Sequence, residues 1–153
     1  MTASSTDRDT VLSVQGLVKH FPIKRGVIFN RTVGTVKAVD DVSFEIARGE
    51  TLALVGESGC GKSTTGRMIL RLMAPSAGSI HFRGEDIAHL DEDAMRRMRR
   101  HLQIIFQDPY ASLNPRMTVG DILVEPMQVH DIGSAAERTE RAAELLQVVG
   151  LLP

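Results

Sequence analysis

The chain has 153 residues, with 18 Lys plus Arg against 19 Asp plus Glu and a formal net charge of −1. That balance argues against a general nucleic-acid binder, which carries a basic face or a strongly basic domain. The single Cys60 excludes an internal disulfide framework and a cysteine-rich metal site, and the length suits one hydrophobic core or a portion of a larger domain.

Residues 1–10 read as a flexible tail: they are polar, carry acids, and lack the basic and then apolar regions of an export signal. No apolar run approaches the roughly 18–20 residues needed to cross a bilayer. The expectation is a soluble chain that meets a membrane only through a protein partner. Val11–Val14 opens a first strand. Pro22, Gly26, Asn30 and Gly34 interrupt the next stretch, and Lys24, Arg25 and Arg31 make it basic, so a long hairpin connection or flap is expected over 22–35. Val42, Phe44 and Ile46 alternate with Ser43 and Glu45, the pattern of a half-buried strand. Gly49 and Glu50 turn the chain into a predicted strand over Thr51–Val55.

A helix is expected from the following glycine-rich loop, with Met68, Ile69 and Leu72 facing a sheet and Pro75 and Gly78 ending the region. Ile80 and Phe82 suggest a short strand, and Gly84 a turn. The helix near Asp91–Arg100 has acids at its start and Arg96, Arg97, Arg99 and Arg100 toward its end, both placements favoured by the helix dipole. Met95, Met98 and Leu102 share its opposite stripe, and Gln103–Phe106 reads as a further strand. A helix over Val119–Val129 must accommodate Pro126. The last helix opens on Ser134 with Glu137 three residues later, a capping-box pattern, and Gly150 can close it.

The chemistry concentrates in Gly56-Glu57-Ser58-Gly59-Cys60-Gly61-Lys62-Ser63-Thr64, which follows the apolar run Leu52–Val55. The pattern G-x-x-x-x-G-K-S/T between strand and helix is specific for phosphate binding. Gly56, Gly59 and Gly61 permit unusual backbone angles and close phosphate approach. Amide hydrogens then form an anion nest, and the helix terminus adds its own. Lys62 reaches the outer phosphates, Ser63 places its hydroxyl on magnesium, and Thr64 supports the inner phosphate and the first helical turn. The alternative is a glycine-rich turn whose lysine meets solvent. Cys60 reads as a small residue at a variable loop position, with a reactive thiol as the alternative.

Together with this loop, Phe106-Gln107-Asp108-Pro109-Tyr110-Ala111-Ser112-Leu113-Asn114-Pro115-Arg116-Met117-Thr118-Val119-Gly120 resembles the ATP-binding subunits of ABC transporters, most strongly bacterial dipeptide and oligopeptide importers. Lys37–Phe44 is similar to that family's opening sheet, and the resemblance covers nearly all of residues 11–153. It implies an α/β fold of the P-loop NTPase type, with the N-terminal part of an ABC nucleotide-binding domain over 11–153. It also implies ATP and Mg2+ as ligands. Gln107 matches the Q-loop glutamine over 106–120, a sensor of magnesium, water and the γ-phosphate; its amide can both accept and donate. Phe21 stands where the family often stacks an aromatic on adenine, with a core or flap contact as the alternative. His20 reads as a surface or structural residue. The segment Tyr110–Val119 would meet a permease.

The expected partners are a second ATP-binding subunit, transmembrane permease subunits and, indirectly, a periplasmic or extracellular solute-binding protein. The expected place is the cytoplasmic side of the inner membrane, and no nucleic-acid partner is expected. The family's signature motif, its apolar strand with a paired Asp-Glu, and its switch histidine do not occur before Pro153. A catalytic set is therefore incomplete, weak ATPase activity is expected of the chain alone, and the phosphate-loop strand is expected to have an unpaired edge. Peptide import is the leading function. Import of another solute, such as nickel, glutathione or a sugar-linked solute, and a non-hydrolysing remnant or interaction module are the alternatives.

Overall fold

The computed structural model describes residues 9–25, 31–108 and 112–152, which fall into two compact units divided after Arg99. The first unit is built on a four-stranded antiparallel sheet in the order β2-β1-β3-β4. Its strands are β1 (Thr10–Arg25), β2 (Arg31–Ala47), β3 (Ala77–Phe82) and β4 (Glu85–Asp86). Helix α1 (Lys62–Ile69) lies in sequence between β2 and β3, and α2 (Glu92–Met98) follows β4.

Apolar residues meet across the strands. Leu12 faces Phe82 and Val14 faces Ile80, and all four are buried together with Leu17, Met68, Ile87 and Met95. Leu12 and Val14 keep the two-residue period of a strand, but Leu17 comes three residues later. A bulge resets the phase there: Gly16 has φ 56°, and its amide donates to the Ser43 hydroxyl at 2.8 Å. In a regular strand without that bulge, Leu17 would point away from the core.

Strand β1 continues well past Val14. The ladder runs on through Pro22↔Thr35, Ile23↔Gly34 and Arg25↔Arg31, so the connection expected over 22–35 narrows to residues 26–30, which lie outside the described residues. Pro22 is tolerated because the β3 partner of β1 ends at Val18, leaving one side of β1 without a ladder to break. The tail expected over 1–10 lies outside the described residues up to residue 8.

Two expected strands do not form. Thr51–Val55 and Gln103–Phe106 carry strand-like apolar runs, yet neither joins the sheet, and Val55 and Ile105 are 92% and 98% exposed. An extended segment becomes a strand only when a neighbour takes its amides and carbonyls. Neither segment pairs with any of the four strands of this sheet. Helix α1 also stops earlier than its apolar pattern suggests: Leu72 lies beyond it and is 54% exposed, while Met68 is fully buried.

In the second unit, α3 (Val119–Val129) and α4 (Ala135–Val148) pack against each other. Pro126 sits inside α3 without ending it. Both helices open with a complete capping box. Thr118 accepts from the Asp121 amide while Asp121 takes the Thr118 amide, and Ser134 and Glu137 do the same. Gly150 closes the last helix with φ 76°. No helix among the described residues is long and apolar enough to cross a membrane.

Candidate functional site

The loop Gly56–Gly61 leads directly into α1. Its geometry depends on two glycines with left-handed backbones, Gly59 at φ 82° and Gly61 at φ 97°. A Cβ on Gly61 would run into the Ala38 carbonyl of β2, so this position needs glycine both for its angle and for its close approach. The loop is thereby seated against β2 at Ala38 and Val39.

Gly61 is also the N-cap of α1, and no side chain caps that end. The first amides of a helix have no intrahelical acceptor, so an uncapped terminus presents them to an anion. Thr65 turns inward instead: it is 5% exposed, and its hydroxyl donates to the Gly61 carbonyl at 3.0 Å, locking the first turn. Ser63 is exposed on that turn, and Thr64 is partly exposed beside it.

Lys62 folds back over the loop. Its ammonium donates to the carbonyls of Gly56 at 2.8 Å and Glu57 at 2.6 Å, and lies 3.4 Å from Cys60 Sγ. Neutral carbonyls hold it, and no carboxylate among the described residues does, so its charge stays available to a phosphate. Cys60 is exposed, and its sulfur occupies the space that a Cβ on Gly56 would take. Glu57 and Ser58 are exposed at the loop's entrance.

A cavity of about 360 Å³ lies between this loop and β2. Lys37, Asp40, Cys60, Gly61, Lys62 and Thr65 are among its lining residues. Asp40 accepts from Lys37 Nζ at 3.0 Å and approaches His20 Nε2 at 3.1 Å. The hydrogen bond from Lys37, and then that from His20, hold the Asp40 carboxyl below its ordinary pKa. Sequence reading overlooked Lys37 and Asp40 and left His20 without a functional role. Only the strand register, which sets His20 opposite Lys37, brings the three together.

The other predicted residues lie elsewhere. Phe21 is on β1, opposite Val36 and 38% exposed, and is not part of the cavity lining. The Lys19 ammonium stands 5.3 Å from its ring centroid and also donates to the Ala74 carbonyl, so an intramolecular cation already engages the ring. Gln107 is exposed at a bend in the second unit, while the phosphate loop belongs to the first. Pro109, Tyr110 and Ala111 lie outside the described residues. Just beyond them Asn114 shapes a turn, its side-chain oxygen accepting from the Arg116 amide at 3.1 Å. Among the described residues, no group of three or more His, Cys, Asp or Glu is placed to hold a metal ion.

This geometry suits a polyphosphate: an uncapped helix start, a cation held by neutral carbonyls and a glycine that lets the backbone come close. Known proteins are similar to this chain over most of its length. Residues 39–153 match the family described as ABC transporter. The oligopeptide transport ATP-binding protein AppF of Bacillus subtilis is 50% identical over 154 residues, covering 100% of this chain and 46% of that protein. A putative peptide import ATP-binding protein of Brucella ovis is 52% identical over 143 residues, covering 94% of this chain and 43% of that protein. The glutathione import ATP-binding protein GsiA of Escherichia coli O157:H7 is 50% identical over 147 residues, covering 96% and 23%. The chain thus spans less than half the length of these curated relatives. Among solved structures, a dimeric ATP-binding cassette in a post-hydrolysis state with ADP and Pi matches with a TM-score of 0.71 at 28% identity, covering 89% of this chain and 56% of that one.

Proposed function

The chain belongs to the ABC transporter family of ATP-binding proteins, and from that premise we propose that Gly56–Thr64 binds the phosphates of ATP to drive import of peptides or a closely related solute. The observation that carries the reading is the uncapped start of α1 beside a lysine held only by neutral loop groups. A triphosphate would take the amides from Gly59 to Thr64, and Lys62 would exchange the Gly56 and Glu57 carbonyls for phosphate oxygens. The exchange is favourable because a charge-assisted hydrogen bond is stronger than one to a neutral carbonyl.

Ser63 through its hydroxyl and Gln107 through its amide oxygen are the residues that would hold Mg2+, which would offset the charge of the phosphates. Magnesium keeps several waters and needs few protein ligands, so this sparse set suits it. In this reading Gln107 and the shaped turn after it carry nucleotide state to a permease, and a second ATP-binding subunit completes the site. Phe21, part-exposed on β1, would stack on adenine in this reading. The oligopeptide and glutathione relatives match the chain at the same 50% identity, which fits a shared motor whose cargo is chosen by other subunits.

Lys62→Ala tests the site. Titration of a fluorescent ATP analogue onto the 153-residue chain should show about tenfold weaker binding, as expected for losing a hydrogen bond between charged groups. Unchanged affinity would refute the assignment. Wild-type chain should turn over Mg-ATP slowly at best, since its 153 residues hold no apolar strand ending in a paired Asp-Glu to activate water, and Asp91-Glu92 opens a helix instead.

A further inference from the structure

The cavity beside the phosphate loop has a second charged wall that the nucleotide reading does not use. Its lining includes two cations, Lys62 from the loop and Lys37 from β2, and one carboxylate, Asp40. Lys37 and Asp40 flank Ala38 and Val39, the two β2 residues against which Gly61 is seated. They therefore stand on either side of the point where the loop meets the sheet. We propose that Lys37 is a second phosphate-binding cation of the nucleotide site, held in readiness by Asp40 while the site is empty.

This role for Lys37 rests on the nucleotide assignment above and adds to it. A nucleoside triphosphate carries several negative charges, and the loop offers one side-chain cation to meet them. Lys37 is the other cation of the same cavity, with Nζ 3.0 Å from Asp40 Oδ2. Its side chain is mostly exposed, so the pair is weak enough to exchange. Asp40 is not stranded when Lys37 leaves, because its other oxygen stays 3.1 Å from His20 Nε2. His20 is fixed in turn, its backbone amide donating to the Ser76 hydroxyl at 3.1 Å. Asp40 thus acts as a positioning residue with two partners, one of which it can release. The sequence alone hides this set, since His20 and Asp40 are separated by the whole hairpin and meet only through β-pairing.

Binding of fluorescent ATP and ADP analogues to the 153-residue chain separates the possibilities, with circular dichroism to check folding. Lys37→Ala should weaken both analogues by about fivefold, the effect of losing one exposed ion pair worth about 1 kcal/mol. Lys37→Arg keeps the charge and should restore affinity to within about twofold. Asp40→Asn removes the competing anion and should tighten binding by about twofold, a direction that loss of a merely structural contact would not produce. Wild-type affinity in Lys37→Ala alongside weakened Lys62→Ala would overturn the inference and leave the nucleotide assignment standing. Wild-type affinity in both would remove the assignment itself. Equal weakening in Lys37→Ala and Lys37→Arg would trace the loss to packing and overturn the cation role. Weaker binding in Asp40→Asn would overturn the holding role.

Discussion

Helix α1 and the pair α3 and α4 begin in opposite ways. Helices α3 and α4 open on Thr118 and Ser134, whose side chains cap the first turn while Asp121 and Glu137 reach back to close a box. Helix α1 opens on Gly61, whose backbone is left-handed and which has no side chain to offer. The first kind of start satisfies its own amides and stabilises the helix. The second leaves them exposed, which costs stability and creates an anion site. Within one chain, the same helix end is finished where it supports the fold and left unfinished where a ligand can complete it.

Substitutions can break this contrast, and the largest effect is expected at Gly61. Gly61→Ala forces a left-handed alanine and drives its Cβ into the Ala38 carbonyl, so urea denaturation should show a loss of at least about 2 kcal/mol. Nucleotide binding should fall with it, because the loop loses its seat on β2. Ser134→Ala attacks the other kind of helix start. It should cost about 1 kcal/mol in the same measurement and leave ATP affinity unchanged, since that amide belongs to the fold and not to a ligand. If Ser134→Ala weakened ATP binding as much as Lys62→Ala, the division of labour between the two helix starts would be wrong.

A smaller effect comes from acid. Glu137 has its pKa lowered, first by the Ser134 backbone amide and then by its hydroxyl. Asp121 is lowered by the Thr118 hydroxyl and then by its amide. A carboxyl depressed in the folded state contributes its full stability above the unfolded value and loses it as pH falls through the folded value. The boxed helices should therefore fray below about pH 4, seen as a modest loss of helical circular dichroism. Glu137→Gln should flatten part of that change. Helix α1 has no acid in its first turn and should contribute nothing to it.

Much of this was legible in the order of residues. The glycine-rich loop before α1, both boxed helices, the alternation of β2 and the short β3 each follow from local patterns of a few residues. The span Val119–Val129 was readable despite Pro126, because the apolar run and the Thr118 cap are local signals. Local patterns failed at Thr51–Val55 and Gln103–Phe106. Their apolar runs state a preference for extension, but strand formation also needs a partner, and partners are not written into the segment itself. The span 22–35 failed in the reverse direction. Pro22 and Gly34 look like breakers, yet they sit in a ladder whose free side asks nothing of them.

The candidate site divides along the same line. Local order was enough to place the glycine-rich loop directly before α1, because contiguous residues build it and their backbone angles depend on spacing along the chain. The tertiary structure alone decided what stands opposite. Gly61 needs to be glycine partly because Ala38 is there, and His20 meets Asp40, which lines the cavity with Lys37, because β1 and β2 pair in one register. Contacts between residues distant in sequence depend on the register of the sheet, and one residue of slippage would send each of those side chains to the opposite face.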